Sequence, residues 1–81
     1  MVMSFPEYFD FKSRVEAKTT GGNVHTVNGK LSLILNSIGL CTSSSYRNGE
    51  NSPLFKENFP IYAKIIEETI QEIHALTGVW P

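Results

Sequence analysis

A disulfide within this chain is excluded, because Cys41 is its only cysteine. Histidine is nearly as scarce. His25 and His74 together with Cys41 show none of the spacing of a metal site, so neither a metal nor another cofactor is expected. An excess of one charge sign is missing too. Seven Lys and Arg against eight Asp and Glu leave a net −1, which gives no electrostatic footprint for nucleic acid. Long apolar runs are absent as well. The longest, Leu31–Leu35, is far too short to cross a bilayer. Pro6, Glu7 and Asp10 interrupt any apolar run near the start, so no secretory signal is expected. A single free thiol fits a reducing compartment, and the expected location is cytoplasmic.

What remains is a small chain of ordinary apolar content, 41% hydrophobic over 81 residues. It is long enough for one domain, residues 1–81. A domain of this size buries only about 60 to 65% of the surface its unfolded chain exposes. Disulfides, metals and oligomerisation are the usual supplements for so small a core. With the first two excluded, self-association is the expected one. The charge is mildly divided. Residues 1–47 hold five cations and three anions (+2), and residues 48–81 hold two cations and five anions (−3). That division suits head-to-tail packing and solvated faces equally well.

The strongest pattern runs from Phe59 to Thr77. At 3.6 residues per turn, Phe59, Ile61, Tyr62, Ala63, Ile65, Ile66, Thr69, Ile70, Ile73 and Leu76 fill an arc of about 200°. A surface helix needs roughly half that width, so this one calls for cover on two sides. Lys64, Glu67, Glu68, Gln71 and Glu72 take the rest as a solvated face. Gly78 is a suitable stop, and Val79-Trp80 beyond it have no evident place in a three-helix monomer.

Two earlier segments each admit two readings. Ser4 and Glu7 form a capping-box pattern, and Tyr8, Phe11 and Val15 then share a helical face. Yet Phe9, Phe11, Ser13, Val15 and Ala17 also alternate with charged residues as a strand would. Val27, Leu31, Ile34, Leu35 and Ile38 make a helical stripe, with Thr26 as N-cap and Gly39-Leu40 as a left-handed C-terminal cap. Asn28-Gly29 is at the same time a strong hairpin signal. The expected fold is therefore mainly α, a three-helix small domain with a long C-terminal amphipathic helix. Its rival is an α+β fold in which an N-terminal meander packs on that helix. Ser52-Pro53 opens a short helix to about Asn58, and Pro60 bends or restarts the chain. The opening Met1-Val2-Met3 is left out of the fold.

Residues 41–52 form one long polar loop. Ser44, Ser45, Tyr46, Arg47 and Asn48 supply hydroxyls, an aromatic face and a fork-shaped cation. The helix start at Ser52-Pro53 adds free N–H groups and the positive end of a dipole. This loop is one candidate site, for an anionic small molecule of phosphorylated or nucleotide-like type, although it lacks the glycine spacing and lysine of a phosphate-binding loop. The other is the wide helix face, with Ile61, Tyr62, Ile65, Ile66, Ile70, Ile73, Leu76 and Trp80 as interface residues. Trp80 is the anchor type favoured at interfaces. Cys41 reads as a small core residue rather than a nucleophile, and His74 as a structural residue near a helix C-terminus. The functional expectation is a small non-enzymatic binding protein, a regulator or inhibitor. It associates with itself and with another protein through the C-terminal helix, and it avoids membrane and nucleic acid.

Overall fold

The structure, a computed structural model, describes residues 3–81. Three α-helices follow one another: α1 (Phe5–Lys18), α2 (Val24–Leu40) and α3 (Pro53–Thr77). The described residues contain no strand, so the meander reading is overturned. Its alternation fails at once on α1. Phe11 and Val15 are buried, whereas Phe9, Ser13 and Ala17 are exposed. Asn28-Gly29 lies inside α2 with no turn, because the helical stripe around it outweighs one local turn signal.

α1 begins as its sequence specifies. The Ser4 hydroxyl accepts from the Glu7 N–H at 3.3 Å, and the Glu7 carboxylate accepts from the Ser4 N–H at 3.2 Å. Two of the orphan donors at the helix start are thereby satisfied. Tyr8, Phe11 and Val15 form its buried stripe. Met3, set aside at the sequence level, belongs to the core at 1% exposure.

α2 departs from its expected ends. It starts at Val24, after a 3-10 turn over Gly21–Asn23, so Thr26 sits inside the helix and is not its cap. At the other end Gly39 and Leu40 remain helical, and the expected left-handed glycine cap does not form. Side chains replace it. The Thr42 hydroxyl donates to the Ile38 carbonyl at 3.0 Å, and the Tyr46 hydroxyl donates to the Leu40 carbonyl at 2.7 Å. With those carbonyls satisfied, the chain has no need of a positive φ there.

α3 runs unbroken through 25 residues, about 37 Å at 1.5 Å per residue. Pro60 neither bends the chain out of the helix nor restarts it, and the short helix expected over 53–58 is its first part. The ring removes the N–H that would reach the Lys56 carbonyl. Lys56 and Pro60 are both exposed, so water can take that bond and the usual penalty is softened. Ser52 caps the start through the Phe55 N–H at 3.4 Å. Gly78, at φ +75°, closes the end by donating to the His74 carbonyl at 2.8 Å.

The core unites Met3, Tyr8, Phe11 and Val15 of the first segment with Val27, Leu31, Ile34 and Ile38 of α2 and Ile66, Ile70 and Ile73 of α3. α2 and α3 share by far the most extensive contact. Both carry a small buried polar residue, Ser37 and Thr69, and the Thr69 hydroxyl is satisfied by the Ile65 carbonyl at 2.7 Å. Lys30 and Glu72 bridge the pair at 2.6 Å, and the Cys41 thiol reaches the Phe59 carbonyl at 3.8 Å, which sets an antiparallel register. Val79 finds the place the sequence left open: it closes the core at 9% exposure, and Arg14 holds the neighbouring Trp80 carbonyl at 2.8 Å.

Two outcomes test this account. Gly29 lies mid-helix, and among the described residues a Cβ added there meets no atom within 4 Å beyond its neighbours and the backbone of its own helix turn. Gly29→Ala is expected to raise stability by about 0.5–1 kcal/mol, read by urea unfolding at low protein concentration. The second concerns Glu7, whose pKa is lowered from its ordinary 4.5 by the Ser4 hydroxyl and then the Ser4 backbone N–H. A lowered folded pKa stabilises the fold above the unfolded value and is lost as the pH falls through the folded one. Acidification below 4.5 should therefore cost the wild type stability that Glu7→Gln does not lose.

Candidate functional site

α3 is longer than α2 and overhangs it. Cys41, just past the end of α2, meets Phe59, so residues 53–58 lie beyond the two-helix seam. The 41–52 segment packs on this arm. It is not an open loop but two 3-10 turns, Ser43–Ser45 and Gly49–Asn51, joined at Tyr46. The Tyr46 ring lies 5.5 Å from that of Phe55, and Phe55 lies 5.7 Å from Phe59. The Tyr46 hydroxyl donates to Leu40 and accepts from the Asn58 amide at 3.3 Å. Tyr46 is thus committed to holding the segment to both helices. Ser44, Ser45, Arg47 and Asn48 are exposed around it. Ser52, buried, spends its hydroxyl on the cap of α3, and Pro53 has no N–H to offer.

The eight residues expected on the α3 interface divide sharply. Ile66, Ile70 and Ile73 are consumed by the chain's own core. Tyr62 packs against that core, and Ile65 is half-buried. Ile61 at 53% and Leu76 at 39% stay exposed, as does Trp80 at 51%, which sets its ring edge-to-face with His74 at 4.8 Å. Leu54, not expected at this surface, is exposed at 55%. At 100° per residue Leu54, Ile61, Ile65 and Leu76 fall within about 60° of one another. They form a stripe on the side of α3 that carries Glu72, and hence beside α2 through the Lys30 pair.

The adjoining face of α2 has the least expected composition in the chain. Val27, Leu31, Ile34 and Ile38 point its buried stripe at the core. On the opposite side His25, Gly29, Ser32, Leu33, Asn36 and Leu40 occupy an arc of about 100°. None is Asp, Glu, Lys or Arg, and Leu33 is 46% exposed. Lys30 is the only such residue between Lys18 and Arg47, and Glu72 neutralises it. At the chain's own 19% charged content that stretch would hold about five. Exposed helix faces usually carry their protein's charge, whereas the centres of interfaces are depleted in it. The signal was present in the sequence as a gap in the charge pattern.

Cys41 is buried, and burial pushes its thiol pKa up, away from the thiolate that nucleophilic chemistry uses. A rise of 16 residue steps along α2 from His25 to Cys41 puts about 24 Å between their backbones, and a similar run of α3 separates Phe59 from His74. No group of three or more metal-ligating side chains occurs among the described residues, and no helix of theirs is long and apolar enough to cross a membrane. The chain matches no known protein family, no curated protein and no solved structure.

The structural role of Tyr46 has a direct check. Tyr46→Phe removes one hydroxyl that serves Leu40 and Asn58, and it should cost about 1 kcal/mol in urea unfolding. Arg47→Ala, at an exposed neighbour, should stay within about 0.5 kcal/mol of the wild type in the same measurement.

Proposed function

We propose that this chain is a small non-enzymatic binding protein, a regulator or inhibitor that works in the cytosol by covering part of a partner protein. Its contact surface is the outer side of the α2–α3 pair: Leu33 and the uncharged strip of α2, with Ile61 and Ile65 alongside and Leu54 on the overhanging arm of α3. The observation that carries this reading is the coincidence of two unusual features on one face, exposed large aliphatics and an absence of unpaired charge. Either alone is common on soluble proteins; apolar area without charge is the composition of an interface centre. The fold supports a rigid rather than an adaptive surface, because both helices are locked by a shared core and by the Lys30–Glu72 bridge. The protein therefore binds with little ordering cost. The lone buried thiol suits a reducing compartment.

A photoreactive benzophenone residue in place of Ile61, expressed in cells of the protein's source, tests this. Irradiation should give a discrete covalent adduct with a protein from position 61 and none from the same probe at Arg47. Equal yields from the two positions, or no adduct from either, would count against the reading.

A further inference from the structure

We infer that Asn48 is a site of spontaneous self-modification, in which the backbone nitrogen of Gly49 displaces its side-chain amide and the residue becomes aspartate or isoaspartate. The chain contains Asn-Gly twice, at Asn28-Gly29 and at Asn48-Gly49. Glycine has no side chain to shield its own N–H, so both pairs carry the same intrinsic chemistry. Both asparagines are exposed, so access to water does not distinguish them. The backbone does. Asn23, Asn36, Asn51 and Asn58 each precede a residue with a side chain and lack the pairing.

Ring closure requires the peptide nitrogen after the asparagine to swing onto the side-chain carbon, which takes a large rotation of ψ. At Asn28 that rotation would break α2 in its interior, between Val27 at 1% exposure and Leu31 at 2%. Opening a core helix costs much of the stability of the whole fold. Asn48 instead precedes the 3-10 turn Gly49–Asn51, with ψ 14°. One turn bond holds the Gly49 N–H, to the Tyr46 carbonyl at 3.1 Å, and another holds the Asn48 carbonyl, from the Asn51 N–H at 3.1 Å. Arg47, Asn48 and Glu50 around them are exposed, and such segments open locally at little cost. Gly49 has φ +57°, in the region that favours glycine, so the turn itself calls for the unshielded N–H.

The step balances with water as its only co-reactant. The Gly49 nitrogen gives its proton to solvent and bonds to Asn48 Cγ. The bond from Cγ to Nδ2 breaks, and the amide takes a proton back and leaves as ammonia. Water then opens the cyclic imide. Opening at Cγ restores the main chain with an aspartate side chain, and opening at the backbone carbonyl routes the main chain through Cβ and Cγ as isoaspartate. Either carboxylate takes the net charge one unit below its present −1. Isoaspartate also adds a methylene to the main chain inside the turn, two residues from Tyr46. The hydroxyl of Tyr46 then loses its placement on Leu40 and Asn58, now at 2.7 and 3.3 Å, and the brace between α2 and α3 loosens.

Incubation of the full chain in heavy-oxygen water at neutral pH, followed by peptide mapping in a mass spectrometer, tests this. The peptide holding residue 48 should gain the mass of acid over amide plus the isotope label at least about tenfold faster than the peptide holding residue 28. In guanidinium strong enough to abolish the helical circular dichroism the two rates should converge. Asn48→Gln, which would need a larger ring, should stay unconverted at that position. The isoaspartate form, separated by anion exchange, should unfold at lower urea concentration than the unmodified chain, and the loss should shrink in a Tyr46→Phe background. Asn48→Asp carries the charge without the longer main chain and should keep the unmodified midpoint. Equal native rates at the two pairs, no conversion at Asn48, or a difference that survives in guanidinium overturns the site. An isoaspartate form as stable as the unmodified chain, or an equal loss in Asn48→Asp, overturns its effect on the brace.

Discussion

The extensive packing of α2 on α3 is the constraint on which the other features hang. Two helices can share an apolar seam at short separation only where the side chains between them are small or interlocked. Ser37 and Thr69 are small residues buried in these two helices, and Ile34, Ile38, Ile66, Ile70 and Ile73 belong to the core they share. Once those helices are paired, α1 has a single surface to cover, and Tyr8, Phe11 and Val15 suffice for it. Val79 then closes the remaining edge, tied by Arg14 to the backbone beside it. A chain of this size has no second core to fall back on.

Pairing helices of unequal length has a consequence for the polar segment between them. α3 reaches beyond α2, and its first turns need a neighbour. Tyr46 supplies one by stacking near Phe55 and by satisfying the last carbonyl of α2 with its hydroxyl. Tyr46, a candidate site residue, braces two helices, because the end of one and the start of another both lie within its reach. The same economy explains why α2 has no glycine cap: Thr42 and Tyr46 already serve its carbonyls.

The proposed surface follows from what the core leaves over. α3 has an apolar arc wider than α2 and α1 can cover, and the excess emerges at Leu54, Ile61, Ile65 and Leu76. Beside it the outer strip of α2 lacks the charges a solvated helix normally displays. The wide arc is legible from residue spacing alone. Which part of it is surplus is not, since Ile66 and Ile61 look equivalent until the neighbouring helices are placed. The gap in charge between Lys18 and Arg47 is legible too, but its meaning depends on Leu33 and Gly29 facing away from the core.

The sequence by itself determined the local events: the Ser4–Glu7 capping box, the Ser52-Pro53 start, the Gly78 stop and the apolar stripes of all three helices. These depend on contacts within one turn or on periodicity, which a linear pattern carries in full. Tertiary structure decided everything that required knowing what lies opposite. It kept Pro60 inside a helix at an exposed turn, where water can replace the missing bond. It spent Tyr46 on a helix end, buried Met3 and Val79, and divided the isoleucines of α3 between the core and the surface. Such outcomes turn on burial and on partners distant in the chain. Spacing alone does not encode them.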